Sequence, residues 1–191
     1  MPIPGTSLII EGHAIISADG MIAAADGSMP PEMRVDADWQ AFQQALDAAA
    51  LVVLGREGHE RHPNPGRPRL VLTSRVERLE RDPKDERAFF YNPENLPLPS
   101  LFVELGVETG TVAVTGGTRV FDLFRPWYDR FVLTEVRGLM LAGGRPAFSL
   151  DHPRFVLPGI GLEPGDMDVI APGVTQTIWV KSTRPMRAGM C

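Results

Sequence analysis

Short runs that are apolar at every residue set the tightest limit on what this chain can become. Leu51-Val-Val-Leu54 is the clearest, with Leu70-Val-Leu-Thr73 reading as another strand, and a strand without polar alternation belongs in a sheet covered on both faces. Residues 8–17, 111–115 and 130–136 read as further strands, and 175–181 as an antiparallel strand that closes the sheet. Helical spacing fills the gaps at 38–49, 98–106 and 119–124. Strands that alternate with helices predict βαβ units, hence an α/β fold with a mostly parallel sheet and flanking helices. No linker divides the 191 residues, so one domain spanning 1–191 is expected.

The 19 Gly and 18 Pro exceed the roughly 12 % that the two usually contribute together. Proline gathers at 63–68, 93–99 and 146–172, which marks loops and leaves the strands nearly free of it. After Phe148, the prolines at 153, 158, 164 and 172 predict only short strands and turns. A net charge of −5 with both signs interspersed argues against a nucleic-acid groove. The longest basic cluster, Arg67-Pro-Arg69, could pair with a small anion. Cys191 is the sole cysteine, which excludes an internal disulfide and suits a reducing compartment. No apolar run approaches the ~20 residues that span a bilayer, so a soluble, cytoplasmic protein is expected.

In an open parallel sheet the ligand lies beyond the carboxyl ends of the strands. There the chain places Gly55-Arg56, Thr73-Ser74-Arg75 and Thr115-Gly116-Gly117-Thr118. Paired glycines let backbone N–H groups approach a diphosphate, and Arg56, Ser74 and Arg75 suit a further phosphate monoester. Each of these taken singly also reads as ordinary turn punctuation.

Asp38 is the most informative single residue. At 100° per residue it shares a helical stripe with Phe42, Ala45 and Ala49, so a carboxylate lies on the core-facing side. Two readings stand: Asp38 caps its helix, or Asp36 does so and Asp38 faces a ligand in a half-dry cleft, its pKa raised toward a proton donor's range. Trp39 beside it reads as packing and His13 as a satisfied core residue. His59-Glu60-Arg61-His62 invites a zinc reading, but the second His of His-Glu-x-x-His falls at position 63, a proline. No metal is expected.

With these residues in hand, the chain resembles the dihydrofolate reductase-like superfamily, over about residues 12–148. Ile16-Ser17-Ala-Asp19-Gly20-Met-Ile22-Ala23 is similar to the first-strand motif of the riboflavin-biosynthesis reductases, and also to the entry of the mobile loop of dihydrofolate reductases. Asp38-Trp-Gln-Ala-Phe42 resembles the helix that carries the latter's proton-relay carboxylate, and Thr134 falls where the family's Thr hydrogen-bonds that carboxylate. Leu54-Gly55-Arg56 resembles a phosphate-binding turn, Thr73-Ser74-Arg75 the 2′-phosphate site, and Val114-Thr115-Gly116-Gly117-Thr118-Arg119-Val120-Phe121 the diphosphate turn. The chain departs from the riboflavin type at Thr115, where Glu is usual, and at Gly58, where Thr is usual.

The resemblance implies NADPH as cofactor, a small heterocyclic substrate and a homodimer. It implies Asp38 and Thr134 as catalytic, and Ile22, Gly55, Arg56, Thr73, Ser74, Arg75, Thr115, Gly116, Gly117, Thr118, Arg119 and Val120 as cofactor-binding. Ile15, Ser17, Asp19, Gly20 and Phe42 would meet the substrate. Ser17-x-Asp19-Gly20 favours reduction of the riboflavin-type aminopyrimidine. Asp38 keeps dihydrofolate reduction open, and a non-catalytic NADP-binding protein is the alternative of another class.

Overall fold

A computed structural model describes residues 2–62 and 64–182, so Cys191 lies outside the described residues. The chain runs β1 (Ser7–Ser17), β2 (Met21–Ala23), α1 (Asp36–Ala48), β3 (Leu51–Gly55), α2 (Arg56–Arg61), β4 (Arg69–Leu72), β5 (Leu79–Arg81), β6 (Ala88–Tyr91), α3 (Leu98–Leu105), β7 (Thr109–Val114), α4 (Thr118–Phe124), β8 (Arg130–Val136), β9 (Arg145–Pro146), α5 (Pro153–Gly159), β10 (Leu162–Ala171) and β11 (Val174–Lys181). Nine strands form one sheet in the order β10-β11-β8-β1-β7-β3-β4-β6-β5, and β2 pairs separately with β9. From β8 through β6 the neighbours are parallel, while β11, β10 and β5 join antiparallel. The expected α/β fold with a mostly parallel sheet and an antiparallel closing strand is what forms.

β3 shows why the apolar run was diagnostic. Leu51 and Val53 join the larger core with Phe102, Phe121 and Phe131, while Val52 and Leu54 pack with Leu46 on the α1 side. Both faces are dry, so no position in the run tolerates a polar side chain. Packing on the larger-core side is tight where β1 passes β8. A Cβ added to Gly12 would lie 2.2 Å from Cδ2 of Phe131, whose ring is fully buried. Gly12→Ala is therefore expected to destabilise the fold by about 2–3 kcal/mol, read as a lower urea midpoint at unchanged slope.

Two expectations fail. The stretch after Phe148 is not limited to short strands and turns: it contains α5 and the ten-residue strand β10. Pro153 sits at the start of α5, where a missing N–H is harmless, and His152 caps that helix by accepting from the N–H of Arg154 at 3.1 Å. Pro164 is tolerated because β10 is the sheet edge, with a register shift between Pro164 and Met167. Arg67-Pro-Arg69 is likewise not an anion seat. Arg67 bonds Asp47 and Gln43 on α1, and Arg69 is 1 % exposed, its guanidinium 2.5 Å from Asp85. Among the described residues, no helix is long and apolar enough to cross a membrane.

Candidate active site

Because β1, β8, β7, β3 and β4 run parallel, the segments that follow them share one rim of the sheet. Asp38 reaches that rim from the first turn of α1. Its Oδ1 accepts from the Thr134 hydroxyl at 2.5 Å and lies 3.4 Å from Nε2 of Gln176, which also donates to Thr134 Oγ1 at 3.0 Å. The capping reading falls: the residue preceding α1 is Val35, and neither Asp36 nor Asp38 supplies a side-chain cap. Ile15, Thr134 and Gln176 stand side by side in register across β1, β8 and β11.

Gln176 was not read from the sequence as a site residue. Only the antiparallel pairing of β11 with β8 brings it to Asp38.

Burial pushes the Asp38 carboxyl above its usual range, against the hydrogen bond from Thr134, the charge of His13 and the amide of Gln176. A half-buried carboxyl with its affinity for the proton raised and one oxygen held by neutral donors can hold and deliver a proton. Phe42 lies beside it on α1, 5.7 Å from the His13 ring in an edge-on arrangement. His13 is paired with Glu11, as a satisfied core histidine should be. Trp39, by contrast, is exposed.

On the β3 side, the turn 115–117 is stitched down. Thr115 donates from N–H and Oγ1 to the carbonyl of Val53, and the Gly55 N–H donates to the carbonyl of Gly116 at 3.2 Å. Gly116 has φ +119° and Gly117 φ +82°, and a Cβ on Gly116 would crowd the Phe121 ring at 3.2 Å, so glycine is required. Val120 is buried against this turn, and Thr118 Oγ1 donates to the carbonyl of Pro146 at 2.5 Å. Ser74 is exposed, and Thr73 Oγ1 accepts from the N–H of Arg75. Arg56 and Arg75 both address Glu60, at 2.7 and 4.0 Å. Arg119 points instead to Glu94 and does not join them. His59 turns toward Asp82 and Phe90, and no group of three metal-ligating side chains occurs among the described residues.

Ser17, Asp19 and Gly20 form the turn between β1 and β2. The buried Ser17 hydroxyl donates to Asp19 at 2.5 Å and accepts from the Met21 N–H, and Asp19 accepts from the N–H of Leu141. Burial would raise Asp19, but the Ser17 hydroxyl and the Leu141 N–H outweigh it and hold the carboxyl below its usual range. Asp19 and Gly20 line a cavity of about 270 Å³ with Met21, Pro146, Phe148 and His152. Ile22 packs against the core. The loop that follows is fastened to α2: Arg61 donates to the carbonyls of Gly27 and Asp26, and Arg145, paired with Glu57, reaches that of Ala25.

No protein-family model matches the chain, and no curated protein does. Solved structures do. A protein assigned to riboflavin biosynthesis from Shewanella sp. PV-4 superposes with a TM-score of 0.67 at 18 % identity, covering 91 % of this chain and 99 % of that one. Dihydrofolate reductase from Enterococcus faecalis, solved with NADP(H) and RAB-propyl, gives 0.63 at 18 % identity over 90 % and 95 %. The diaminohydroxyphosphoribosylaminopyrimidine deaminase/5-amino-6-(5-phosphoribosylamino)uracil reductase from Thermotoga maritima gives 0.68 at 13 % identity over 92 % of this chain and 57 % of that chain. The fold is dihydrofolate reductase-like.

Proposed function

We propose that this protein is an NADPH-dependent reductase of a nitrogen heterocycle, of the type that reduces 5-amino-6-(5-phosphoribosylamino)uracil. The observation that carries the reductase reading, whichever ring is reduced, is the Asp38 carboxyl, half-buried on the sheet rim and held through Oδ1 by Thr134. The nucleotide diphosphate would meet the bare backbone of Gly116 and Gly117, whose positive φ angles of +119° and +82° hold the turn in a conformation that suits glycine. Arg56, Ser74 and Arg75 would hold its extra phosphate. A bound dihydronicotinamide supplies the hydride. The chain's part is to hold the substrate ring between Ile15 and Phe42 and to deliver the accompanying proton from Asp38. The Ser17–Asp19–Gly20 turn supports the riboflavin-type substrate. The Asp38–Thr134 hydrogen bond favours dihydrofolate as the second reading.

NADPH added stepwise is expected to quench tryptophan emission, with Trp39 on the rim of the site. The bound complex is then offered the aminopyrimidine phosphate and, separately, dihydrofolate, with NADPH absorbance as the readout. Turnover of the first supports the first reading, and turnover of dihydrofolate alone hands the function to the second. Binding without turnover of either makes the protein a non-catalytic nucleotide carrier, and no binding overturns all of these.

A further inference from the structure

The face of the sheet that looks toward α1 carries more charge than packing requires. Glu11 and His13 alternate with Gly12 along β1 and project to this face, only 5 % and 8 % exposed. His13 Nε2 lies 2.7 Å from Glu11 Oε1. Glu11 stands opposite Arg130 in the β1–β8 register, and the Arg130 guanidinium pairs with its other oxygen. From His13 the ring contact leads to Phe42, on the same face of α1 as Asp38 and one turn beyond it. With His13 protonated, Arg130, Glu11, His13 and Asp38 alternate in sign from the sheet edge into the site. A buried ion pair is weak at stabilising a fold, because apolar residues of similar volume do as well or better. A role in the neighbouring site accounts for its position.

We infer that Glu11 and His13 are positioning residues of the Asp38 site: Glu11 holds the His13 ring against Phe42, one turn of α1 from Asp38, while Gln176 fixes the Asp38 Oδ1, and together they set the acidity of the group that faces substrate. This rests on the reading of Asp38 as the proton carrier. The other charged groups around it are few. Asp36 on α1 is exposed, and Asp168 on β10, opposite Gln176, is exposed. From β8 come Thr134 and the more distant Arg130, while β7 turns Thr109, Thr111 and Ala113 to this face and brings no charge. Burial would raise Glu11, but the hydrogen bond and charge of His13, with Arg130, outweigh it and keep the carboxyl below its usual range, ready to pair with imidazolium.

The test uses the full chain without ligand. Aspartate carboxyl carbons are labelled with carbon-13, the Asp38 signal is assigned by its loss in Asp38→Asn, and its midpoint is followed with pH. Removing the imidazole by His13→Gln is expected to raise that midpoint by about half a unit to one unit. Gln176→Leu is expected to raise it by a smaller step, and Asp168→Asn to leave it in place. Glu11→Met/His13→Leu, which replaces the pair with apolar volume, should raise it as His13→Gln does, and supplies the reading if the single variant fails to fold. Where turnover is measurable, the alkaline limb of its pH profile moves up by the same amount, because a proton donor fails only when it ionises. An Asp38 midpoint that stays within about 0.2 units of wild type in the variants lacking His13 overturns the proposal. Absence of turnover with either substrate would overturn the proposed function and leave this titration intact.

Discussion

Asp38→Asn is expected to lower turnover by about 10²-fold or more, the range that a positioned proton donor contributes, while NADPH affinity stays within about twofold of wild type. Asn keeps the size of the side chain, and its carbonyl still accepts from Thr134, so the geometry is preserved and only the transferable proton is lost. Stability should move the other way. Asp38's carboxyl is raised in the folded state by burial, so between its unfolded and folded pKa the native state binds the proton more tightly. Stability then falls as pH rises through that window, and above the folded pKa the wild type keeps an ionised group that the fold disfavours. Asn removes this penalty. Steady-state kinetics and urea unfolding on the same preparation check both halves, and unchanged turnover would show that Asp38 is no proton donor.

Arg69→Ala is expected to be the most damaging change to stability, at about 3–4 kcal/mol. The guanidinium is buried at the start of β4 and donates to the carbonyls of Asn64 at 2.7 Å and Arg67 at 3.1 Å as well as to Asp85. Truncation leaves a cavity and removes the donor that ties the loop before β4 to the turn before β6. Arg69→Met refills much of the volume and is expected to lose about 2 kcal/mol, separating packing from hydrogen bonding. Arg69 holds the Asp85 carboxyl below its usual range. A lowered carboxyl contributes stability above its unfolded pKa and loses it as pH falls through the folded one. The gap between wild type and Arg69→Ala should therefore narrow on acidification below about pH 4. A gap that stays constant with pH would detach Asp85 from the effect.

The parallel centre of the sheet was legible because residues dry on both faces leave little freedom of interpretation, as Leu51–Leu54 shows. Edges carry no such signal. β10 is exposed along Glu163–Val169 and contains Pro164 and Gly165, so neither periodicity nor apolarity marks it, and only pairing with β11 makes it a strand. α2 is six residues long and largely polar, too short for a helical stripe. At the site, helical angle alone put Asp38 on the inner face, and resemblance put Thr134 beside it. Gln176 was out of reach, since the contact joins residues 138 apart in the chain. The Glu11–His13 pair did leave a trace: residues two apart on a strand share a face, and an acid and a histidine at that spacing on β1 predict each other as partners.

The fastening of the loop after β2 has a consequence for how such a protein can change. Arg61 and Arg145 grip the loop by the carbonyl oxygens of Ala25, Asp26 and Gly27, which every amino acid possesses. Gly27 is the exception, because a Cβ there would strike the Arg145 guanidinium at 2.6 Å. Its neighbours can be rewritten without loosening the clasp. Sequence could thus drift along this strap by ordinary substitution while its hold on the body of the protein is inherited intact.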